Sequence, residues 1–201
     1  MKIGIMGGTF NPIHNAHLLI AEMAREEYGL DRVIFITDGN PPHKSANVTA
    51  KQRFEMTHIA IADNSAFEED DFEINRSEKS YTVNTLGYLK EKYPNNDLFF
   101  IIGEDSLNDF NKWYKPDKIL EMCSLLVFPR KSLKSLTETI KVVKEKMNGR
   151  IFPISAPVFG ISSTDIRNRV KNGQTVRYML PENVRDYINK YHLYKENEND
   201  R

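Results

Sequence analysis

Leu98 to Ile102 is an unbroken apolar run of strand length that ends on Gly103. Val33 to Thr37 is built alike and is closed by Asp38-Gly39-Asn40-Pro41-Pro42; Leu125 to Phe128 is closed by Pro129. A strand with one wet face alternates polar and apolar residues, whereas a strand covered on both faces does not. Ile3 to Met6 begins this series, Ile151 to Ile154 ends it, and Phe72 to Ile74 is its weakest member. Helical spacing fills the gaps. Ala16, Leu19, Ile20, Met23 and Ala24 form one stripe. Thr49 to Asp63 follows, with Thr49 as N-cap, and Thr82 to Tyr93 is stopped by Pro94-Asn95-Asn96. Leu136 to Met147, Ser163 to Lys171 and Glu182 to Tyr191 complete the set. This alternation predicts an α/β protein: a doubly wound, mostly parallel sheet with helices on both faces.

The chain has 201 residues, which suits one domain over residues 1–194 and a polar C-terminal tail over 195–201. Lys and Arg total 28 and Asp and Glu total 28, so the formal net charge is zero. Chains that live on nucleic acid carry a basic excess, so no nucleic acid polymer is expected as partner. The single Cys123 excludes an internal disulfide and a Cys-based zinc cage. Gly4, Gly7 and Gly8 interrupt the opening apolar stretch, and no run reaches the ~20 residues of a membrane span. The expected location is cytoplasmic, without a membrane partner; a homo-oligomer is compatible with the composition.

In such sheets ligands sit beyond the carboxyl ends of the strands. There the first strand runs into Gly7-Gly8-Thr9-Phe10-Asn11-Pro12-Ile13-His14-Asn15-Ala16-His17. Two glycines let backbone N–H groups approach an anion, and a helix starting near Asn15 aims its positive end at the same place. His14 and His17, three apart, can face one side and donate to phosphate oxygens. The pair could instead hold a metal, but no Cys or nearby carboxylate completes such a set, and no protein metal site is expected. At the other end of the chain, Ser162 or Ser163 in Ile161-Ser162-Ser163-Thr164-Asp165-Ile166-Arg167 can cap a helix whose free N–H groups face an anion. Arg167, one turn on, adds an always-charged fork.

The first of these stretches resembles the opening signature of the nucleotidylyltransferase superfamily, whose HIGH element here reads His14-Asn-Ala-His17; the second resembles its ISSTxIR element. Asn11 and Ala16 stand where that family usually has Asp and Gly. Four middle elements are similar to the bacterial nicotinate-nucleotide adenylyltransferase family: Pro41-Pro42-His43-Lys44, Ser80 to Leu86, Phe100 to Ser106, and Lys112-Trp113-Tyr114. The likeness runs from about Ile3 to Tyr194. It departs at Asn84, which replaces an Asp, at Glu104, which replaces an Ala, and around Asp38 and Asn40.

The resemblance implies a Rossmann-like fold and an enzyme that moves the adenylyl group of ATP onto nicotinate mononucleotide, giving nicotinate adenine dinucleotide and pyrophosphate for NAD biosynthesis. It implies His14, His17, Lys44 and Arg167 as catalytic groups, and Gly7, Gly8, Thr9, Phe10, Gly103, Asp105, Ile161, Ser162 and Ser163 as the ATP site. Mg²⁺ would be bound mainly through the ATP phosphates. For the acceptor it implies Thr85, Trp113, Tyr114 and Arg130. The residue types suit these roles: a lone Trp can stack on a pyridinium ring, Thr85 can offer a hydroxyl and an N–H to its carboxylate, and Asp105 can accept from a ribose. Two alternatives stay open: nicotinamide mononucleotide as acceptor, and a non-catalytic nucleotide sensor on the same fold. His58, on a helical face with Phe54 and Ile61, reads as a structural histidine, and Cys123 as a buried small hydrophobe.

Overall fold

The structure is a computed structural model and describes residues 1–40, 48–130 and 135–195. Its strands are β1 (Lys2–Gly8), β2 (Arg32–Thr37), β3 (Phe67–Asp70), β4 (Asp97–Gly103), β5 (Ser124–Phe128) and β6 (Ile151–Pro153). They form one sheet in the order β3-β2-β1-β4-β5-β6, and every pairing is parallel. The helices are α1 (Asn15–Tyr28), α2 (Ala50–Ile61), α3 (Thr82–Lys92), α4 (Glu104–Asn108), α5 (Pro116–Met122), α6 (Leu136–Lys146), α7 (Ser163–Lys171) and α8 (Glu182–Lys190).

The unbroken apolar strands have the cause expected of them. Val33 and Phe35 of β2 point into one core while Ile34 and Ile36 point into the other; β4 and β5 divide their residues the same way. One core is closed by α1, α2, α7 and α8, through residues such as Ile20, Met56, Ile166 and Ile188. The other is closed by α3, α5 and α6, through Leu86, Leu89, Ile119 and Ile140. Each fully buried Leu, Ile or Phe contributes roughly 1.5–3 kcal/mol of transfer free energy, so neither face can be left bare.

Strand β3 lies earlier than expected. The Phe72 to Ile74 stretch is a turn, and the edge strand is Phe67-Glu-Glu-Asp. Phe67 faces inward, its ring 5.1 Å from that of Phe35, and Asp70 is also buried. Its acidic neighbours are held at the edge, Glu68 by Arg32 and Asp70 by Lys92 at 2.7 Å. A charged edge strand carries little hydrophobic signal and resists further pairing. Helices α4 and α5 are likewise additions to the sequence reading. His58 is exposed and sits on Glu69, so it is a surface partner and not a packed histidine. Cys123 is buried, its Sγ directed at the Ile119 carbonyl, and burial pushes its thiol up to about 12.

The chain builds outward from β1 to β3, then crosses to β4 and builds the other way. At that reversal β1 and β4 pair only from Lys2↔Asp97 to Ile5↔Phe100. Beyond it their ends part and open a crevice, the usual ligand position in such sheets. Among the described residues no helix is long and apolar enough to cross a membrane. Of the expected tail, only Lys195 is among the described residues.

Candidate active site

The crevice is a cleft of about 570 Å³, lined by the ends of β1, β4 and β5, the start of α1 and the start of α7. That is within the usual size for small-ligand sites. Gly7, Gly8, Thr9, Phe10, His14, His17, Gly103, Asp105, Trp113, Arg130, Ile161, Ser162, Ser163 and Arg167 all line it. Residues far apart in the chain are thus brought onto one surface.

The first wall is the turn after β1. Phe10 takes a left-handed φ of 44°, uncommon for a residue with a bulky side chain. Its ring is buried edge-on against His17 and packs on Phe35. A Cβ on Gly8 would come within 2.9 Å of that ring, so glycine is what lets Phe10 fold back beneath the loop. Thr9 Oγ1 donates to Asp38 at 3.1 Å, and the Asp38 N–H donates to the Gly8 carbonyl at 2.9 Å, tying the ends of β1 and β2 together.

His14 is the N-cap of α1, in extended conformation, and the residue is only 4% exposed. The rings of His14 and His17 stack 3.7 Å apart at 15°. Burial, with the positive Arg130 adding to it, lowers the His14 pKa from 6.5 to about 4. His14 is therefore neutral at pH 7. The His14 N–H donates to His17 Nδ1 at 3.2 Å. An imidazole whose Nδ1 accepts carries its proton on Nε2, which makes the Nε2 of His17 a donor.

The opposite wall is the start of α7. Ser162 caps it, accepting from the Asp165 N–H at 3.1 Å. The Ser163 hydroxyl donates to the Pro12 carbonyl at 2.9 Å, and Arg167 donates to the Asn11 carbonyl at 2.8 Å and to the Thr164 hydroxyl oxygen at 3.1 Å. Tyr194 adds a third tie, donating to the Asn11 side-chain oxygen at 2.7 Å. The two helix starts are thus fastened side by side, each with its positive end at the cleft.

Arg130 stacks over the Phe128 ring at 4.8 Å, and its Nε lies 3.7 Å from Asp105. Glu104, the acid that departs from the family pattern, has a structural reason. It is buried and accepts from the Arg130 N–H at 3.2 Å and from the Thr139 hydroxyl at 3.0 Å, which holds the backbone of Arg130 in place. Trp113 is half-buried against Phe110 and Phe100 and offers its remaining surface to the cleft.

Two expected residues, Tyr114 and Thr85, are not on this surface. Lys44 lies outside the described residues, as does His43. Tyr114 is 48% exposed and packs on Tyr81, outside the cleft lining. Thr85 is buried with both donors engaged: its hydroxyl donates to Glu73, and its N–H donates to the Tyr81 carbonyl at 3.3 Å. Glu73 is itself buried, and burial, then the nearby Asp38, raises its carboxyl above the usual range. A Cβ on Gly39 would fall 2.0 Å from the Glu73 carbonyl, so the backbone after β2 runs directly over this group.

Sequence reasoning passed over Arg53. It is 2% exposed and reaches from α2 beneath the first turn, where Nη1 donates to the Thr9 carbonyl at 2.6 Å and Nη2 to the Gly39 carbonyl at 3.3 Å. The available signal was its place in the buried stripe Arg53, Met56, Thr57, Ala60 and Ile61, where a charge is out of place.

Comparison with known proteins agrees with this geometry. The cytidylyltransferase-like family model matches residues 5–169. A protein of Citrifermentans bemidjiense, described as a probable nicotinate-nucleotide adenylyltransferase, is 41% identical over 96% of this chain and 98% of its own length. One of Desulfitobacterium hafniense with the same description is 45% identical over 96% of each chain. The fold matches that of the Plasmodium falciparum nicotinic acid mononucleotide adenylyltransferase complexed with NaAD, with a TM-score of 0.81 at 24% identity, over 96% of this chain and 97% of that one. With two helix starts joined across one cleft and relatives of this identity along almost its whole length, the chain belongs to the cytidylyltransferase-like family and, within it, to the nicotinate-nucleotide adenylyltransferases.

Proposed function

We propose that the cleft binds ATP and nicotinate mononucleotide together and joins them into nicotinate adenine dinucleotide, releasing pyrophosphate. The observation that carries this reading is the fastening of Ser163 and Arg167 onto the carbonyls of Pro12 and Asn11. It puts two helix starts, two imidazoles and an arginine where one triphosphate would meet them all.

In this reaction a 5′-phosphate oxygen of the mononucleotide attacks the α-phosphorus of ATP. The new bond is O–Pα, and the bond from Pα to the bridging oxygen breaks, with its electron pair leaving on pyrophosphate. The attacking monoester has a second pKa of about 6 and is already ionised at neutral pH, so no general base is required. Catalysis then consists of positioning and charge stabilisation. His17 would donate from Nε2 to phosphate oxygens, and neutral His14 would serve as a hydrogen-bonding neighbour without adding a charge. Arg167 and the α7 start would hold the departing phosphates. Lys44 is assigned to the same phosphates on the family resemblance.

For the acceptor, Trp113 would stack on the pyridinium ring and Arg130 would meet its phosphate. Tyr114 and Thr85 are assigned to the ring carboxylate by resemblance. Thr85 can serve only by exchanging its bond to Glu73. Among the described residues no group of three or more His, Cys, Asp or Glu is placed to hold a metal, and Asp105 is the one carboxylate lining the cleft. That donor set suits a hard Mg²⁺ that arrives on the ATP phosphates, where it would neutralise their charge.

The test is pyrophosphate release from ATP with each mononucleotide as acceptor. Release with the nicotinate form well above the nicotinamide form is the expected result. Release with neither rejects adenylyl transfer and leaves a nucleotide sensor; an equal or opposite preference rejects the acceptor.

A further inference from the structure

Arg53 is not among the residues lining the cleft, yet it is a buried charged group placed directly behind it. Its guanidinium spans two backbone carbonyls on two different loops, Thr9 after β1 and Gly39 after β2. Its Nε has no partner among the described residues. A buried arginine left incompletely satisfied is costly in stability terms, and apolar residues of similar volume often do as well or better at such a position. The residue therefore needs a reason besides packing.

Peptide geometry supplies one. In a trans peptide the C=O and the following N–H point in opposite directions. The Thr9 carbonyl is drawn inward to Arg53 at 2.6 Å, so the N–H of Phe10 is turned outward, on the side where Thr9 and Phe10 line the cleft. Phe10 adopts the left-handed φ of 44° at this same peptide, a conformation that surrounding contacts must enforce. The second donor, to Gly39, holds the neighbouring loop, which carries the Asp38 that receives the Thr9 hydroxyl.

We propose that Arg53 is a positioning residue for the nucleotide triphosphate: by anchoring the Thr9 carbonyl from behind, it presents the Phe10 N–H to a phosphate oxygen. It acts through the backbone and touches no substrate. A lysine can replace the charge and one of the donors, but it cannot bridge both carbonyls in a plane. This role rests on the adenylyl-transfer reading of the cleft.

The experiment compares Arg53→Met, Arg53→Lys and the unaltered full chain. ATP affinity is measured by calorimetry, the KM of each substrate by pyrophosphate release, and folding by thermal denaturation. Arg53→Met is expected to weaken ATP binding about tenfold or more, the scale of losing hydrogen bonds to a charged donor, with the mononucleotide KM changed less than about twofold; Arg53→Lys should fall between. A residue that only held the fold would weaken both substrates alike. Equal weakening, or a folded Arg53→Met with unaltered ATP affinity, overturns the proposal. If Arg53→Met does not fold, Arg53→Lys decides by the same split, and failure of both to fold overturns it in favour of a purely structural role. An unaltered chain that binds no ATP overturns the parent reading as well, which separates the two failures.

Discussion

Arg167 donates to the Asn11 carbonyl across 2.8 Å, although the two residues are 156 positions apart in the chain. This bond closes the cleft from the far side. It consumes one guanidinium N–H on protein and fixes the plane in which the others are presented, so Arg167 fastens the site and, in the proposed reaction, would also meet a phosphate. A fork of donors can do both, and a single ammonium cannot.

Arg167→Lys is accordingly expected to behave almost as poorly as Arg167→Ala. Each should lose about tenfold or more in kcat/KM, in line with loss of a charged hydrogen bond. Steady-state kinetics on folded variants checks this. A lysine variant with near-normal turnover would reduce Arg167 to a simple positive charge.

His17→Ala should lower kcat by about 10²-fold or more, a loss of roughly 2.7 kcal/mol of transition-state stabilisation. The fold should survive, because the losses, among them the tie from the His14 N–H, the ring stack on His14 and the edge contact with Phe10, are confined to one turn at the rim of the cleft. Circular dichroism and turnover on one preparation separate the two effects, and a folded variant turning over normally would remove His17 from the chemistry.

Trp113→Ala should raise the KM for the mononucleotide far more than that for ATP. Because the ring also packs on Phe110 and Phe100, stability will fall as well, and Trp113→Phe should recover much of both. Equal changes in the two KM values would argue against stacking on the acceptor.

His14 makes the stability of the protein depend on acidity. Its pKa is lowered from 6.5 to about 4 in the folded chain, so between those values the unfolded chain binds a proton that the folded chain refuses. The stabilising contribution is complete above pH 6.5 and is lost as pH falls towards 4, by about 3 kcal/mol in all. Urea denaturation of the unaltered chain and of His14→Gln across this range isolates the effect from the buried carboxylates, which both proteins share. The unaltered chain should lose ground relative to the variant on acidification; parallel curves would show that His14 titrates normally.

Much of the site could be read from local pattern. Gly7-Gly8, the histidine pair and Ser162 to Arg167 announced themselves because strand ends and helix starts have local chemistry: a residue needs only its neighbours to be a cap or a tight turn. Thr85 and Arg53 show where that stops. Thr85 looked free to meet a ligand, and its hydroxyl is on Glu73, which belongs to a turn twelve residues earlier. Arg53 drew no notice in the sequence, and it is buried beneath two loops.

The amino-acid sequence by itself determined the α/β alternation, the double-sided burial of the strands and the local form of the two turns that line the cleft, since each follows from the spacing of apolar residues and the identity of the residues that interrupt them. The tertiary structure alone decided that β3 is the acidic segment Phe67–Asp70, that Arg53 turns inward, and that Asn11 and Arg167 touch. Those outcomes depend on strand order and on the reversal between β1 and β4, which bring distant residues together through the burial of both sheet faces, and no local periodicity encodes that arrangement.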